Sequence, residues 1–180
     1  MSTPASARTF VKVMAFMCLG LGVPSMLANL LSIVHLLLVP DGDPATLQGI
    51  LGVPMPPQFA WMFRHTLALS LANGALSLLF VCVGSGLWHQ REWARRGIIA
   101  LLLAVTIVSL AALPLIGPLF DGVMMLLPPE MITTPDITTQ LHTARLAVWG
   151  IGGVAAIAMV ALHGWLIWRF QTPEIRAQFH

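Results

Sequence analysis

Four stretches of this chain contain no Asp, Glu, Lys or Arg: residues 13–40, 66–90, 97–120 and 146–168, each 23 residues or longer. About 20 helical residues, rising 1.5 Å each, cross a hydrocarbon core of roughly 30 Å, so every one of the four is long enough to span a bilayer. Lipid offers the backbone no hydrogen-bond partners, which restricts spanning segments to helices or closed barrels. The two-residue alternation of a membrane barrel is absent from these stretches. Composition agrees: with 57% hydrophobic residues, 9% charged residues and a mean hydropathy of +0.85, the chain has too few charges to cover a soluble globule. The sequence therefore predicts an all-α protein, an antiparallel bundle of four transmembrane helices with short interfacial outer segments. It reads as a single integral-membrane domain over 1–180, with spans at about 13–38, 61–88, 97–118 and 145–168.

The break between the second and third stretches, His89-Gln90-Arg91-Glu92-Trp93-Ala94-Arg95-Arg96, sets the orientation. Three arginines so close to two spans hold this loop on the cytoplasmic face. Arg8, Lys12, Arg91, Arg95, Arg96, Arg169 and Arg176 then fall inside, against Arg64 and Arg145 outside. Trp88, Trp93, Trp165 and Trp168 mark the inner interface under this topology, and Trp61 and Trp149 lie toward the outer one. The expected location is a bacterial inner membrane, with both termini cytoplasmic. Arg8 and Lys12 precede an uncharged run far longer than the core of a cleavable signal, so the first span is expected to stay uncleaved. Cys18 and Cys82 both sit inside apolar runs, which argues against a disulfide framework.

On the outer side, residues 41–58 carry Pro44, Pro54, Pro56 and Pro57 around an apolar patch at 47–55, the pattern of a short surface-lying helical turn. Residues 121–143 hold Met124, Met125, Leu126 and Leu127 ahead of Pro128 and Pro129, and read the same way. Thr134, Pro135 and Asp136 supply a cap, a first helical position and an acidic first turn, so the last helix is predicted to start near Pro135.

The most specific pattern lies in the first two spans. Small and polar residues recur at Cys18, Gly22, Ser25, Asn29 and Ser32 in the first, and at Thr66, Ser70, Asn73, Ser77 and Gly84 in the second. Heptad-like steps of this kind keep one helix face toward a left-handed neighbour. Lys12 and Arg91 give the two helices a common level, so antiparallel depth follows from summed residue numbers. Asn29 with Asn73, Ser25 with Ser77, Ser32 with Ser70 and Cys18 with Gly84 all sum to 102. The stripe reads as packing rather than as a pathway, because small residues permit close backbone approach and amides in lipid seek partners.

Other candidate sites are less specific. His35, His65 and His142 map to the outer side with Met55, Met62, Met124, Met125 and Met131, where copper, zinc or a haem between His35 and His65 is conceivable as a metal or cofactor site. Interfacial or hydrogen-bonded histidines are the plainer reading, and the sequence specifies no cofactor. His163 stands alone in the inner part of the last span, and His142, Arg145 and Trp149 share one face of that helix. Arg64 and Arg145, the outer basic residues, suit snorkelling or a rim salt bridge with Asp41, Asp43 or Asp121. Gly150, Gly152 and Gly153 fit close helix packing. No phosphate loop, nucleophile motif or aromatic-basic interleaving is present, so nothing points to nucleic acid. The expected partners are the lipid bilayer and a membrane protein or a second copy of this chain. A non-enzymatic accessory or interaction subunit is the leading functional reading; the alternatives are an oligomeric transporter or channel, and an outward-facing metal, haem or lipid-binding protein.

The orientation is testable directly. Single cysteines placed in residues 41–58 or 121–134 should react with an impermeant thiol reagent added to intact cells, and one at position 93 should not. Labelling from outside at position 93 alone would reverse the topology.

Overall fold

The structure is a computed structural model that describes residues 4–38, 56–125 and 135–179. The interfacial pieces expected within 41–58 and 121–143 therefore lie partly outside the described residues. Among those described the chain is helical, with no strand. Helix α1 is Pro4–Leu38, α2 is Pro57–Arg64, α3 is Thr66–Trp88 and α4 is Glu92–Ala112. A 3-10 turn, Leu113–Leu115, leads into α5 at Ile116–Met124, followed by α6 at Pro135–Gln171 and the short α7 at Pro173–Arg176. Four helical runs are long and apolar enough to cross a membrane: Ser6–Leu38, Thr66–Trp88, Glu92–Met124 and Thr139–Gln171. The all-α four-span bundle is thus the fold, and α6 starts at the Pro135 that the capping pattern singles out.

The helical runs depart from the expected spans at several ends, since the first, third and last begin earlier and the last also ends later, and two of the departures have a local cause. The second span does not begin at position 61, because the helix breaks at His65 (φ −106°, ψ 14°) and residues 57–64 form α2. Local bonds satisfy the carbonyls that this break exposes. The His65 backbone N–H reaches the Trp61 and Met62 carbonyls at 3.1 and 3.2 Å, and the Thr66 hydroxyl donates to those of Met62 and Phe63 at 3.0 and 2.8 Å. The third span does not stop near 118; it tightens into the 3-10 turn around Pro114 and then continues as α5. A proline lacks the donor that an α-helical turn needs there, and the tighter turn accommodates it. Pro24, by contrast, sits inside α1 without ending it.

The connection between α3 and α4 is a tight C-terminal cap. Gln90 adopts φ 55°, the left-handed region usually left to glycine. In this conformation its N–H donates to the Leu87 carbonyl at 3.0 Å, and the Arg91 N–H donates to that of Gly86 at 2.9 Å. This is the paired bonding of a Schellman motif, and it turns the chain back on itself at once. Gly86 makes the reversal possible, since a Cβ there would lie 2.6 Å from that of Ala94.

Packing is concentrated at the end of the bundle near this turn. Ala7, Val11, Ala15 and Cys18 of α1 meet Val83 and Leu87 of α3, Ala94, Ile98, Leu101 and Leu102 of α4, Leu166 and Phe170 of α6, and Ile175 of α7. Phe10 adds an edge contact to Trp165 and a tilted one to Phe170. Arg95 lies within this cluster, only 8% exposed. Its Nε and Nη2 donate to the two Glu92 carboxylate oxygens at 2.8 and 2.6 Å, and its Nη1 donates to the Phe170 carbonyl at 3.3 Å. Arg95 therefore ties the start of α4 to the last turn of α6, where a cation also complements the helix dipole. Beyond this cluster α1 and α3 stay closely packed along much of their length, whereas α6 leaves its most apolar stretch unburied.

Candidate functional site

The polar seam between α1 and α3 is a closed hydrogen-bonded network. Asn73 Nδ2 donates to Asn29 Oδ1 at 3.0 Å. Asn29 Nδ2 donates to the Ser25 carbonyl at 2.7 Å and lies 3.4 Å from Ser77 Oγ. The Ser77 hydroxyl donates in turn to the Asn73 carbonyl at 2.9 Å, which leaves its oxygen free to accept from Asn29. Asn29 and Ser77 are both buried, at 9% and 5% exposure. An amide surrounded by hydrocarbon loses several kcal/mol, by order of magnitude, if it is left unpaired, so this closed set holds both helices at one depth.

Glycines bring the backbones together on either side of that network. A Cβ at Gly84 would sit 3.0 Å from that of Cys18, and one at Gly22 would meet Val81 Cγ2 at 2.9 Å and the Val81 backbone nitrogen at 3.1 Å. The Asn29–Asn73 bond and the Cys18–Gly84 approach both lie on the register whose numbers sum to 102. The serines behave differently. Ser25 contributes its carbonyl rather than its hydroxyl, so Asn29 takes the place of Ser25 opposite Ser77. Ser32 donates to the Ala28 carbonyl of its own helix at 3.0 Å, not to Ser70. A hydroxyl in an apolar medium has a ready acceptor one turn back, which competes with any partner across the interface. The Thr66 hydroxyl likewise serves the α2–α3 break.

The outer histidines are not gathered into a ligand set. His35 and His142 are exposed, and His65 stacks on Trp61 with ring centroids 4.6 Å apart while its Nδ1 donates to the Trp61 carbonyl at 2.9 Å. Among the described residues no three His, Cys, Asp or Glu side chains are placed to hold a metal ion together. Both cysteines are free thiols, Cys18 buried and Cys82 exposed.

Two links join the third span to α6: the contact between Thr106 and His163, which the sequence did not single out, and the pair of Arg145 with Asp121, one of the rim salt bridges expected from it. His163 Nδ1 lies 2.7 Å from Thr106 Oγ1, whose own proton goes to the Leu102 carbonyl at 2.7 Å, so the imidazole is the donor between the two side chains. Arg145 Nη2 pairs with Asp121 Oδ2 at 3.1 Å at the opposite end. There Gly117 of α5 admits the Trp149 ring, and Gly152 of α6 admits Ile116. The signal for two of these contacts is the same arithmetic that aligns α1 with α3, since Asp121 with Arg145 and Gly117 with Trp149 share one sum, 266.

Two cavities open at the end of the bundle away from Arg91. One, of about 560 Å³, is lined by Asn29, Thr66, Ser70 and Asn73 on its polar side and by Phe59, Met62, Phe63 and Leu69 on its apolar side. The other, of about 490 Å³, is lined by Trp61, Met62, Leu69, Leu115, Pro118 and Leu119. Both fall within the size range of small-molecule sites. Compared with protein-family models, with curated proteins and with solved structures, the chain matches none.

The amide pair should contribute about 0.6 to 2 kcal/mol, because separated helices in a membrane find other partners. A double-mutant cycle of Asn29→Ala and Asn73→Ala, read from unfolding in detergent, should show coupling in that range. Strictly additive single effects would mean that the two amides do not hold the helices together.

Proposed function

We propose that this chain is a non-enzymatic interaction subunit of a bacterial inner membrane, with the Arg91 end and both termini in the cytoplasm. The orientation is supported by the distribution of basic residues, seven of nine of which belong to one end in this reading. The observation that carries the interaction role is the unused glycine surface of α6. Gly152 is occupied by Ile116 Cδ1 at 3.0 Å, but a Cβ at Gly150, Gly153 or Gly164 would meet nothing within 4 Å. Small residues in a spanning helix permit close approach of another backbone, and in lipid this packing replaces the hydrophobic driving force that acts in water. The same helix exposes Ile151, Val154 and Ile157 at 69–73%. Between Leu146 and Leu162 this helix carries no charged or histidine side chain, as for a helix that meets lipid on some sides and helices on others.

A photo-crosslinking residue in place of Ile151 or Val154, activated in intact cells, should yield an adduct of one defined mass with another membrane protein or with a second copy of this chain. Gly150→Leu should reduce its yield by about tenfold, the loss expected from about 1.4 kcal/mol of disturbed packing. Lipid adducts alone from these positions would remove the interaction role.

A further inference from the structure

Two residues that line the larger cavity, Asn73 and Ser70, have polar atoms without a partner among the described residues. Asn73 uses its amide N–H to bond Asn29, and its Oδ1 has no hydrogen-bond donor among the described residues. Ser70 Oγ lines the same cavity and has no partner among them either. At the helical rise, Asn29 and Asn73 lie about 26 Å from Lys12 and Arg91, close to the far boundary of a hydrocarbon core of roughly 30 Å. Asn73 is exposed and Ser70 half-buried, so both are open to a molecule that brings a matching polar group. The second cavity offers no such atoms, and Met62 and Leu69 line both. A polar compartment and an apolar one thus share a wall.

We propose that these adjacent cavities, which meet at Met62 and Leu69, bind one single-chain amphiphile with a neutral, hydrogen-bond-donating head, such as a long-chain alcohol or primary amide. The head group donates to Asn73 Oδ1 and exchanges a hydrogen bond with Ser70 Oγ. The hydrocarbon chain lies against Trp61, Leu115, Pro118 and Leu119. Asn29, which also lines the cavity, engages the Asn73 amide N–H and so leaves the Asn73 oxygen available to the ligand. The polar atoms on offer are an amide oxygen and a hydroxyl, which suit a neutral head rather than a phosphate or carboxylate.

Trp61 provides the readout, since it lines the chain compartment. The full-length protein in phosphatidylcholine nanodiscs is titrated with hexadecanol brominated along its chain, and quenching of Trp61 is taken as the difference between wild type and Trp61→Phe. The result expected is saturable quenching, with half-saturation at least fivefold below that of the equally brominated methyl ester, which lacks a donor. Ser70→Ala leaves the Asn29–Asn73 bond in place, and it should raise the half-saturation for the alcohol about three- to tenfold, the effect of one hydrogen bond. The same variant should not move the value for the ester. Leu119→Phe, which fills the chain compartment, should abolish saturable quenching by the alcohol. A diacylglycerol, with the same hydroxyl on two chains, should compete at least tenfold more weakly, which separates an intact membrane lipid from a single-chain ligand. Equal quenching by alcohol and ester, quenching that never saturates, no effect of Ser70→Ala, or equal competition by the diacylglycerol would each overturn the proposal.

Discussion

An amide group inside hydrocarbon has no water to turn to, and the bond between Asn73 and Asn29 is the interaction on which the rest of this architecture depends. Dispersion alone aligns two apolar helices poorly, because one leucine-rich face packs against another at many depths. The asparagine pair selects one depth, and the Ser77 hydroxyl closes the set by serving both the Asn73 carbonyl and the Asn29 amide. Gly22 and Gly84 then let the backbones approach until Cβ positions nearly touch. The polar pair provides register and the glycines provide contact area. Replacing either asparagine with leucine keeps the apolar length of the span but removes the selection of depth.

The remaining helices are organised from the other end. The cap at Gln90 reverses the chain within a few residues and places Arg95 where α4, α6 and the start of α1 converge. Arg95 bonds its own helix through Glu92 and a distant one through the Phe170 carbonyl, so it works as an internal strut. From this knot the helices run outward with looser packing. The third span and α6 are held by the Thr106–His163 bond, and farther along by the Arg145–Asp121 pair, with Trp149 set over Gly117. The result is a bundle with a closed end and an open end. The closed end carries the arginine-rich loop, and the open end carries the two cavities and the break at His65.

Much of this organisation was legible in the sequence because lipid simplifies the problem. Charge-free length identifies the spans, and small or polar residues within them mark the faces that pack, so Cys18, Asn29, Asn73 and Gly84 could be aligned by number alone. The serine pairs were not legible in the same way. A hydroxyl can bond the carbonyl one turn behind it, and nothing in the spacing of Ser32 and Ser70 says which partner wins. The break at His65 has no glycine or proline to announce it, and it relies on His65 and Thr66 capping the carbonyls before them. Arg95 reads as one more topological charge in the sequence, since its burial depends on how α6 returns, 75 residues later. The outer histidines share a depth in the sequence, but a shared depth leaves the angular position around each helix unspecified.

The seam between α1 and α3 can be tested with a thiol the protein already has. A Cβ at position 84 lies 3.0 Å from that of Cys18, and a small separation of the helices brings it to the roughly 3.5–4.5 Å that a disulfide spans. With Cys82 replaced by serine, the Gly84→Cys protein should lose both thiols together on mild oxidation, and its mass should fall by two hydrogens without dimer formation. A control with cysteines at positions 20 and 84 and serine at positions 18 and 82 should keep both thiols, because a Cβ at Gly20 meets nothing within 4 Å. Free thiols in the 18–84 pair, or an equally efficient bridge in the control, would contradict the packing of the first two spans through this face.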